Sequence, residues 1–548
     1  MILQTITIFY SYRHQKASSV PTKQLILSLV MFYAILATHA RQEEAPFNVG
    51  WAATNITPDR QVLIGGQFHA RLSEGVMDSL TATALAMESG SPSQSAKVIW
   101  ISCDLISITD GMRGGASLRD EVRRRITQRL PELAANQIIM NGTHTHAAPL
   151  QSDSDNVEDI YGVSLEEMSP GLQAMLPGEY LLFAADRIAD AAVKAWESRE
   201  VGGVSFGLSH AVVGVNRLQV LQNGKSQMYG NTNSANFSHI EGHEDHSLNL
   251  MFFWNKSETL TGMIVNLAAP SQVSEHSYLL SADFWHETRT ELRNRFGKDL
   301  YVLPQVSAAG DQSPHIMIGG AAEARMQRLL GFDLEHTGRG SLAQRYQIAL
   351  RISDGVSAIF PLMKSHIDWH PEFSHRAEII PLSRRLLSQA DVDEAKEEAV
   401  TWAERLERQR EDINSNPEKL KEPRWYRDLT ISHTRYRRGL VVEERYEQEK
   451  VAPKLPIEIQ VLRIGDAVFA TNPFELYLDY GMRIKARSPA VQTFVVQLAG
   501  SGSYLPTERS IAGGAYGAVP ASTLIGPEGG IELVEGTLEL IKALFSEN

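Results

Sequence analysis

The chain has 548 residues, 43% apolar and 21% charged, enough to bury a sizeable core in one large domain or two ordinary ones. Its formal net charge is −13 and it holds no long run of Lys or Arg, which argues against nucleic-acid binding. A single cysteine, Cys103, rules out an internal disulfide, and in the apolar run 98–103 it is expected to be a small buried core residue.

At the N-terminus Lys23 precedes an apolar stretch, 25–36, followed by the small-residue segment Ala37-Thr38-His39-Ala40. This pattern predicts a leader over residues 1–40 with cleavage after Ala40, and export to a periplasm or the exterior. The stretch is short for a membrane span, and an uncleaved anchor stays open as the alternative. Residues 1–22 make the leader unusually long, which translation from a start nearer Lys23 would explain.

From residue 49 to about 380, strand-like and helical patterns alternate. Periodicity predicts helices at 118–130, 179–199 and 284–296, and strands at 212–220, 247–254, 261–267 and 300–306. That order implies an α/β fold, a large mixed sheet flanked by helices. Residues 386–450 are rich in Glu, Arg, Lys and Gln, with helical periodicity at 390–414. Alternating charge marks this stretch as an inserted helical hairpin on the surface, to which no chemistry is assigned. Strands follow at 456–471 and 491–498, with helices at 475–487 and 531–545. Residues 501–527 are Gly-rich without regular periodicity, and a loop that long is usually functional.

Two segments carry the chemistry. Gly310-Asp311-Gln312-Ser313-Pro314-His315 follows the apolar run 300–306. A serine between a Gly-Asp turn and a proline is placed to expose its hydroxyl at a strand end, as a nucleophile requires. The same residues also make an ordinary turn. The second segment, Asn141-Gly142-Thr143-His144-Thr145-His146-Ala147-Ala148-Pro149, follows Ile138-Ile139-Met140. Histidines two apart lie on one side of an extended strand end.

Together these segments resemble the neutral, non-lysosomal ceramidase family, which carries Gly-Thr-His-Thr-His-Ser-Gly-Pro and Gly-Asp-Val-Ser-Pro in the same order. The resemblance runs from about residue 49 to the C-terminus, so residues 41–548 are expected to form a ceramidase-like catalytic domain. The chain ends too early to hold the immunoglobulin-like domain that longer ceramidases add. The resemblance implies a zinc amidase that cleaves the N-acyl bond of ceramide. It implies Ser313 as nucleophile, His144 as a zinc ligand and His146 as a donor to the oxyanion. Asn472-Pro473-Phe474-Glu475 resembles the family's Pro-Gly-Glu-Phe segment, making Glu475 a second zinc ligand. Tyr504, in Tyr504-Leu505-Pro506-Thr507, resembles its tyrosine ligand, and Tyr516, twelve residues on, a second family tyrosine. Asn216-Arg217 resembles a family Asn-Arg segment, with Arg217 offering a planar fork to substrate or a leaving carboxylate.

The pattern breaks at one ligand. The family's second histidine lies in an Asn-Trp-Phe-x-x-His segment, whereas Asn266-Leu267-Ala268-Ala269-Pro270-Ser271-Gln272 has no histidine. Glu275, His276, Asp283 and His246 are candidate replacements. Three ligands, His144, Glu475 and Tyr504, still suffice for a zinc with an open position. The other course is a metal-free site with His146 or His315 as base, His315 ranking low because most turns point residue i+2 away. The leading expectation is therefore a secreted N-acyl amidase acting on ceramide or a related N-acyl lipid. The alternatives are a hydrolase of the same fold for an N-acyl sugar or ester, and a secreted binding protein without turnover. The expected partner is a small-molecule or lipid substrate; peripheral contact with membrane lipid is left open, and the oligomeric state is not read from the sequence.

Overall fold

The structure, a computed structural model, describes residues 46–90, 96–112, 115–152 and 154–546. The leader expected over residues 1–40 lies outside them. Eight strands form the main sheet: β1 (Asn48–Asn55), β2 (Thr81–Ser89), β3 (Ala96–Cys103), β4 (Ile138–Gly142), β5 (Glu200–His210), β6 (Ser247–Asn255), β7 (Leu260–Leu267) and β8 (Tyr301–Val306). Their order is β8-β7-β6-β5-β1-β2-β3-β4. Helix α1 (Leu118–Arg129) carries the chain from β3 to β4, α2 (Pro177–Glu197) from β4 to β5, and α3 (Phe284–Phe296) from β7 to β8. The two helix-linked edge pairs, β3/β4 and β7/β8, are parallel, and every other pair is antiparallel. A parallel pair needs a crossover, and an amphipathic helix supplies it.

β1 and β5 join only through Asn48↔Val201 and Val49↔Glu200, and there the sheet folds over on itself. Trp51, Trp100, Met251, Phe253 and Leu303 meet between its two halves. Phe469 and Phe494 enter the same core from a second sheet. That sheet comprises β9 (Phe373–Ser383), β10 (Lys454–Ile464), β11 (Ala467–Thr471) and β12 (Gln492–Val496), with β11 and β12 parallel. Helices cover the outer faces. Ile126, Ile188 and Ala192 of α1 and α2 pack on Ala84 and Ile101. Helix α4 (Leu342–Lys364) packs with α3 on Phe252 and Val265. With both faces covered, the strands read as continuous apolar runs and not as alternation. The fold class matches the α/β expectation, and Cys103 is buried, which pushes its thiol well above the ordinary range.

Buried polar groups stitch the layers. Ser102 Oγ donates to the Pro304 carbonyl at 2.6 Å, and Asn266 Nδ2 donates to the Val495 carbonyl at 2.9 Å. The Gln497 side-chain oxygen accepts from the Ala309 and Leu476 amides, each at 3.0 Å. Each bond satisfies a group that burial would otherwise leave costly.

Residues 386–450 form a hairpin of α5 (Gln389–Ser415) and α6 (Arg427–Val451). Ser388 caps α5 in a capping box with Asp391, and Lys396 on α5 meets Glu443 on α6 at 2.7 Å. Three local expectations need correction. The strand expected at 212–220 is two short pieces, Val215–Asn216 and Leu218–Leu221. Glu475 is not helical: it belongs to a two-residue strand, and helix α7 (Leu478–Arg487) begins only after it. The 501–527 loop contains a strand (Tyr504–Leu505), a helix (Glu508–Gly513) and two 3-10 turns, and the last helix, α8 (Pro527–Ser546), starts within it at a proline. Among the described residues, no helix is long and apolar enough to cross a membrane.

Candidate active site

The parallel pairs β3/β4, β7/β8 and β11/β12 deliver their carboxyl ends to one cavity of about 950 Å³. β4 leads into His144, β7 into Gln272, β8 into Ser313, β11 into Glu475 and β12 into Tyr504. Crevices at the carboxyl ends of strands are where open α/β sheets bind ligands.

His144 is not in extended backbone. Its φ is +63°, a left-handed conformation that costs a non-glycine residue roughly 1–2 kcal/mol. The cost is met by the His144 amide, which donates to the Leu105 carbonyl at 2.8 Å, and by Thr143, whose amide donates to Cys103. The i, i+2 alternation of a strand therefore does not apply, yet the two imidazoles still meet, with ring centres 4.8 Å apart. His144 Nδ1 donates to the Ile106 carbonyl at 2.8 Å, which turns Nε2 toward the cavity. Nε2 lies 3.4 Å from Glu475 Oε2 and 3.2 Å from His146 Nε2. Arg71, fully buried, donates to the Gly65, His146, Glu275 and Ser277 carbonyls and fixes the loops around His146.

Glu475 and Tyr504 pair as opposite residues of a parallel two-stranded ladder, so a short strand brings two positions distant in sequence side by side. Burial works to raise the Glu475 carboxyl, but His144, Arg217 and Tyr504 outweigh it and hold it at about 2. Burial and the Glu475 charge push the Tyr504 phenol well above its ordinary range. Arg217, 3% exposed, donates to Tyr504 Oη at 3.2 Å and to the Gly310 carbonyl at 2.8 Å. It also stands 3.9 Å from Glu475. This burial places Arg217 within the cavity wall and not at the surface. Tyr516 meets Tyr504 edge to face at 5.9 Å and lines the cavity.

Ser313 is positioned differently from expectation. It is 0% exposed, and the strand pairing Gln312–Ser313 against Val215–Asn216 holds it behind the cavity wall. Its Oγ accepts from the Tyr229 hydroxyl at 3.2 Å and from the His315 amide at 3.1 Å. Tyr229, also in left-handed backbone, lines the cavity in its place and reaches Arg217 at 3.4 Å. The His315 ring turns to Glu275, Nε2 2.9 Å from Oε1, and does not line the cavity. Burial works to raise the Glu275 carboxyl, and His315 and His146 outweigh it, holding it at about 2.

The candidate replacement ligands separate. Glu275 and His276 line the cavity. Asp283 is a buried helix cap, accepting from the Ser274 and Phe284 amides, and His246 pairs with Glu244; neither lines it. Gln272 stands beside His146, Nε2 to Nε2 2.8 Å, and accepts from Arg217 at 3.4 Å. Among the described residues no three His, Cys, Asp or Glu side chains are grouped as metal ligands. A mixed set with a phenol still suits zinc. Two ligands on one tetrahedral zinc stand about 3.3 Å apart, the spacing of His144 Nε2 and Glu475 Oε2.

Three residues of this site escape sequence reasoning: Tyr229, Gln272 and Arg435. Tyr229 precedes Gly230 at the end of a hairpin, and only the folded hairpin brings it to Ser313. The hairpin 386–450, to which no chemistry was assigned, lays Thr434 and Arg435 of α6 along the cavity.

No protein-family model and no curated protein matches the chain. Solved structures do. The neutral ceramidase from Pseudomonas aeruginosa aligns with a TM-score of 0.62 at 15% identity, covering 92% of this chain and 75% of its own. A ceramidase complexed with C2 aligns with the same TM-score at 14% identity, covering 91% and 75%. The chain has the fold of the neutral ceramidases.

Proposed function

We propose that this protein is an exported hydrolase that cleaves an N-acyl amide bond, with Ser313 as nucleophile. The observation that carries the reading is the meeting of His144, Glu475, Tyr504 and Arg217 at one cavity wall, with Ser313 one side chain behind. His144, Glu475 and Tyr504 would hold a zinc ion. Bound there, zinc would polarise the amide carbonyl and ease deprotonation of the serine hydroxyl.

The chain's own groups supply the rest. Burial and His144 push the His146 imidazole down to about 3, so it is neutral at working pH. So weak a base is ill-suited to take the serine proton; its Nε2 accepts from the Gln272 amide, and donation of a hydrogen bond to the oxyanion requires Gln272 to turn away. Arg217 orients Tyr504 and offsets the charge of Glu475. Tyr229 holds the Ser313 hydroxyl through its own O–H, and its side chain must swing aside for Ser313 to reach a carbonyl. Gln272, in place of a second imidazole, favours a second reading: a hydrolase of this fold with a changed metal shell and another acyl substrate, an N-acyl sugar or an ester. A turnover screen of ceramides, N-acyl amino sugars and short esters separates the two. Full activity of Ser313→Ala on the preferred substrate would rule out the nucleophile.

A further inference from the structure

The cavity wall continues outward from Tyr504 as a ladder of rings. Tyr516 packs edge to face on Tyr504 at 5.9 Å, and Phe68 packs edge to face on Tyr516 at 5.8 Å. All three line the cavity. The ladder ends in cations. The Arg435 guanidinium stacks 3.9 Å above Phe68, and Arg438 lies 4.8 Å over Tyr516. Both come from α6, one helical turn apart, so they share a face.

These half-buried arginines lack a carboxylate partner among the described residues. Among the described residues Arg435 has no carboxylate within ion-pair distance, and its Nε is buried without a hydrogen-bond partner. Glu398 acts on it only through space from α5, and Arg438 repels it. Arg438 donates to Ser522 Oγ and has no acidic partner among the described residues either. Other cavity cations are matched: Arg217 by Glu475, and Arg339 by Glu275 at 3.8 Å. Burial, then Arg438, lowers the Arg435 pKa, the sign of a cation short of a counter-charge. In a chain of net charge −13, two adjacent arginines without a carboxylate partner among the described residues, Arg435 lining the cavity and Arg438 beside it, are a local exception.

We infer that the Arg435 and Arg438 pair binds an anionic oxyacid group, in the simplest case a carboxylate, at the far end of the substrate from the bond cleaved. The substrate class is an N-acyl compound with an apolar body along Tyr504, Tyr516 and Phe68 and an acidic terminus. A planar guanidinium fork matches a carboxylate, and its stacking on Phe68 fixes the plane of the fork. This deepens the amidase reading, and binding tests it separately from turnover.

The experiment is calorimetric titration of the full protein with the mono-N-methylamide of dodecanedioic acid, whose carboxylate stands a long apolar chain away from the N-acyl bond, and with its uncharged form, in which that carboxylate is a primary amide. The wild type should bind the carboxylate roughly ten-fold or more tightly, as expected for a charge-assisted pair. Arg435→Met keeps the apolar stem on Phe68 and removes the charge. It should bring the two ligands within about two-fold of each other and leave the uncharged form's affinity unchanged, which also shows that the variant is folded. Arg437→Met, on an exposed neighbour, should keep the preference. Equal binding of the two ligands by the wild type, or a preference that survives Arg435→Met combined with Arg438→Met, overturns the inference. Preferential binding of the carboxylate with no hydrolysis of either compound upholds the acidic-terminus site and counts against the amidase reading alone.

Discussion

The Tyr229 hydroxyl donates to Ser313 Oγ at 3.2 Å, and Tyr229, not Ser313, faces the cavity. Ser313, the proposed nucleophile, is therefore held and shielded by one side chain. Tyr229→Phe keeps the shield and deletes the bond. Because that bond must break before Ser313 reaches a carbonyl, its loss should raise kcat, by up to roughly ten-fold, with KM little changed. Ser313→Ala should remove at least about 10³-fold of activity. Steady-state kinetics on the preferred N-acyl substrate checks both.

Gly310 sits against the Glu475 backbone so closely that a Cβ would lie 2.3 Å from the Glu475 carbonyl oxygen. Neither partner is a flexible side-chain end, so Gly310→Ala must push the serine segment away from Glu475. It should cost about 2 kcal/mol of stability, seen as a lower urea midpoint, and disable turnover.

Asp104 and Arg289 form a fully buried fork, 2.7 and 2.9 Å, under the strand end that presents Thr143 and His144. Asp104→Asn leaves the arginine charge uncompensated, so a loss of about 3–5 kcal/mol is expected in chemical denaturation.

Acid stability should depend on Glu458. Burial disfavours its carboxylate, but the Arg123 fork and Arg119 outweigh burial and hold it at about 2, against an ordinary 4.5. A depressed pKa means stability that is complete above the unfolded value and lost as pH falls from 4.5 toward 2. Glu458→Gln should thus cost about 2–3 kcal/mol at pH 7 and less than half of that at pH 3, read from urea midpoints at the two pH values.

Much of the candidate site was legible because its motifs are local. His144, His146 and Ser313 each follow a buried strand by a few residues, and short-range pattern places them at strand ends. Glu475 was located but its backbone was not: a glutamate after proline before an apolar run reads as a helix start, and only pairing with Tyr504, formed in three dimensions, makes it a strand. The His315 contact with Glu275 has no local signal, because the two lie 40 residues apart in sequence. The hairpin's charges alternate as a solvated face does, and nothing local distinguishes Arg435, which packs on Phe68, from its exposed neighbour Arg437.

The most direct test is the metal content of the purified full-length protein by elemental analysis, beside His144→Ala. About one zinc per chain in the wild type, lost in the variant, is the predicted result. No zinc in the wild type even after reconstitution, or zinc retained in full by His144→Ala, would contradict a metal-assisted site built on His144, Glu475 and Tyr504.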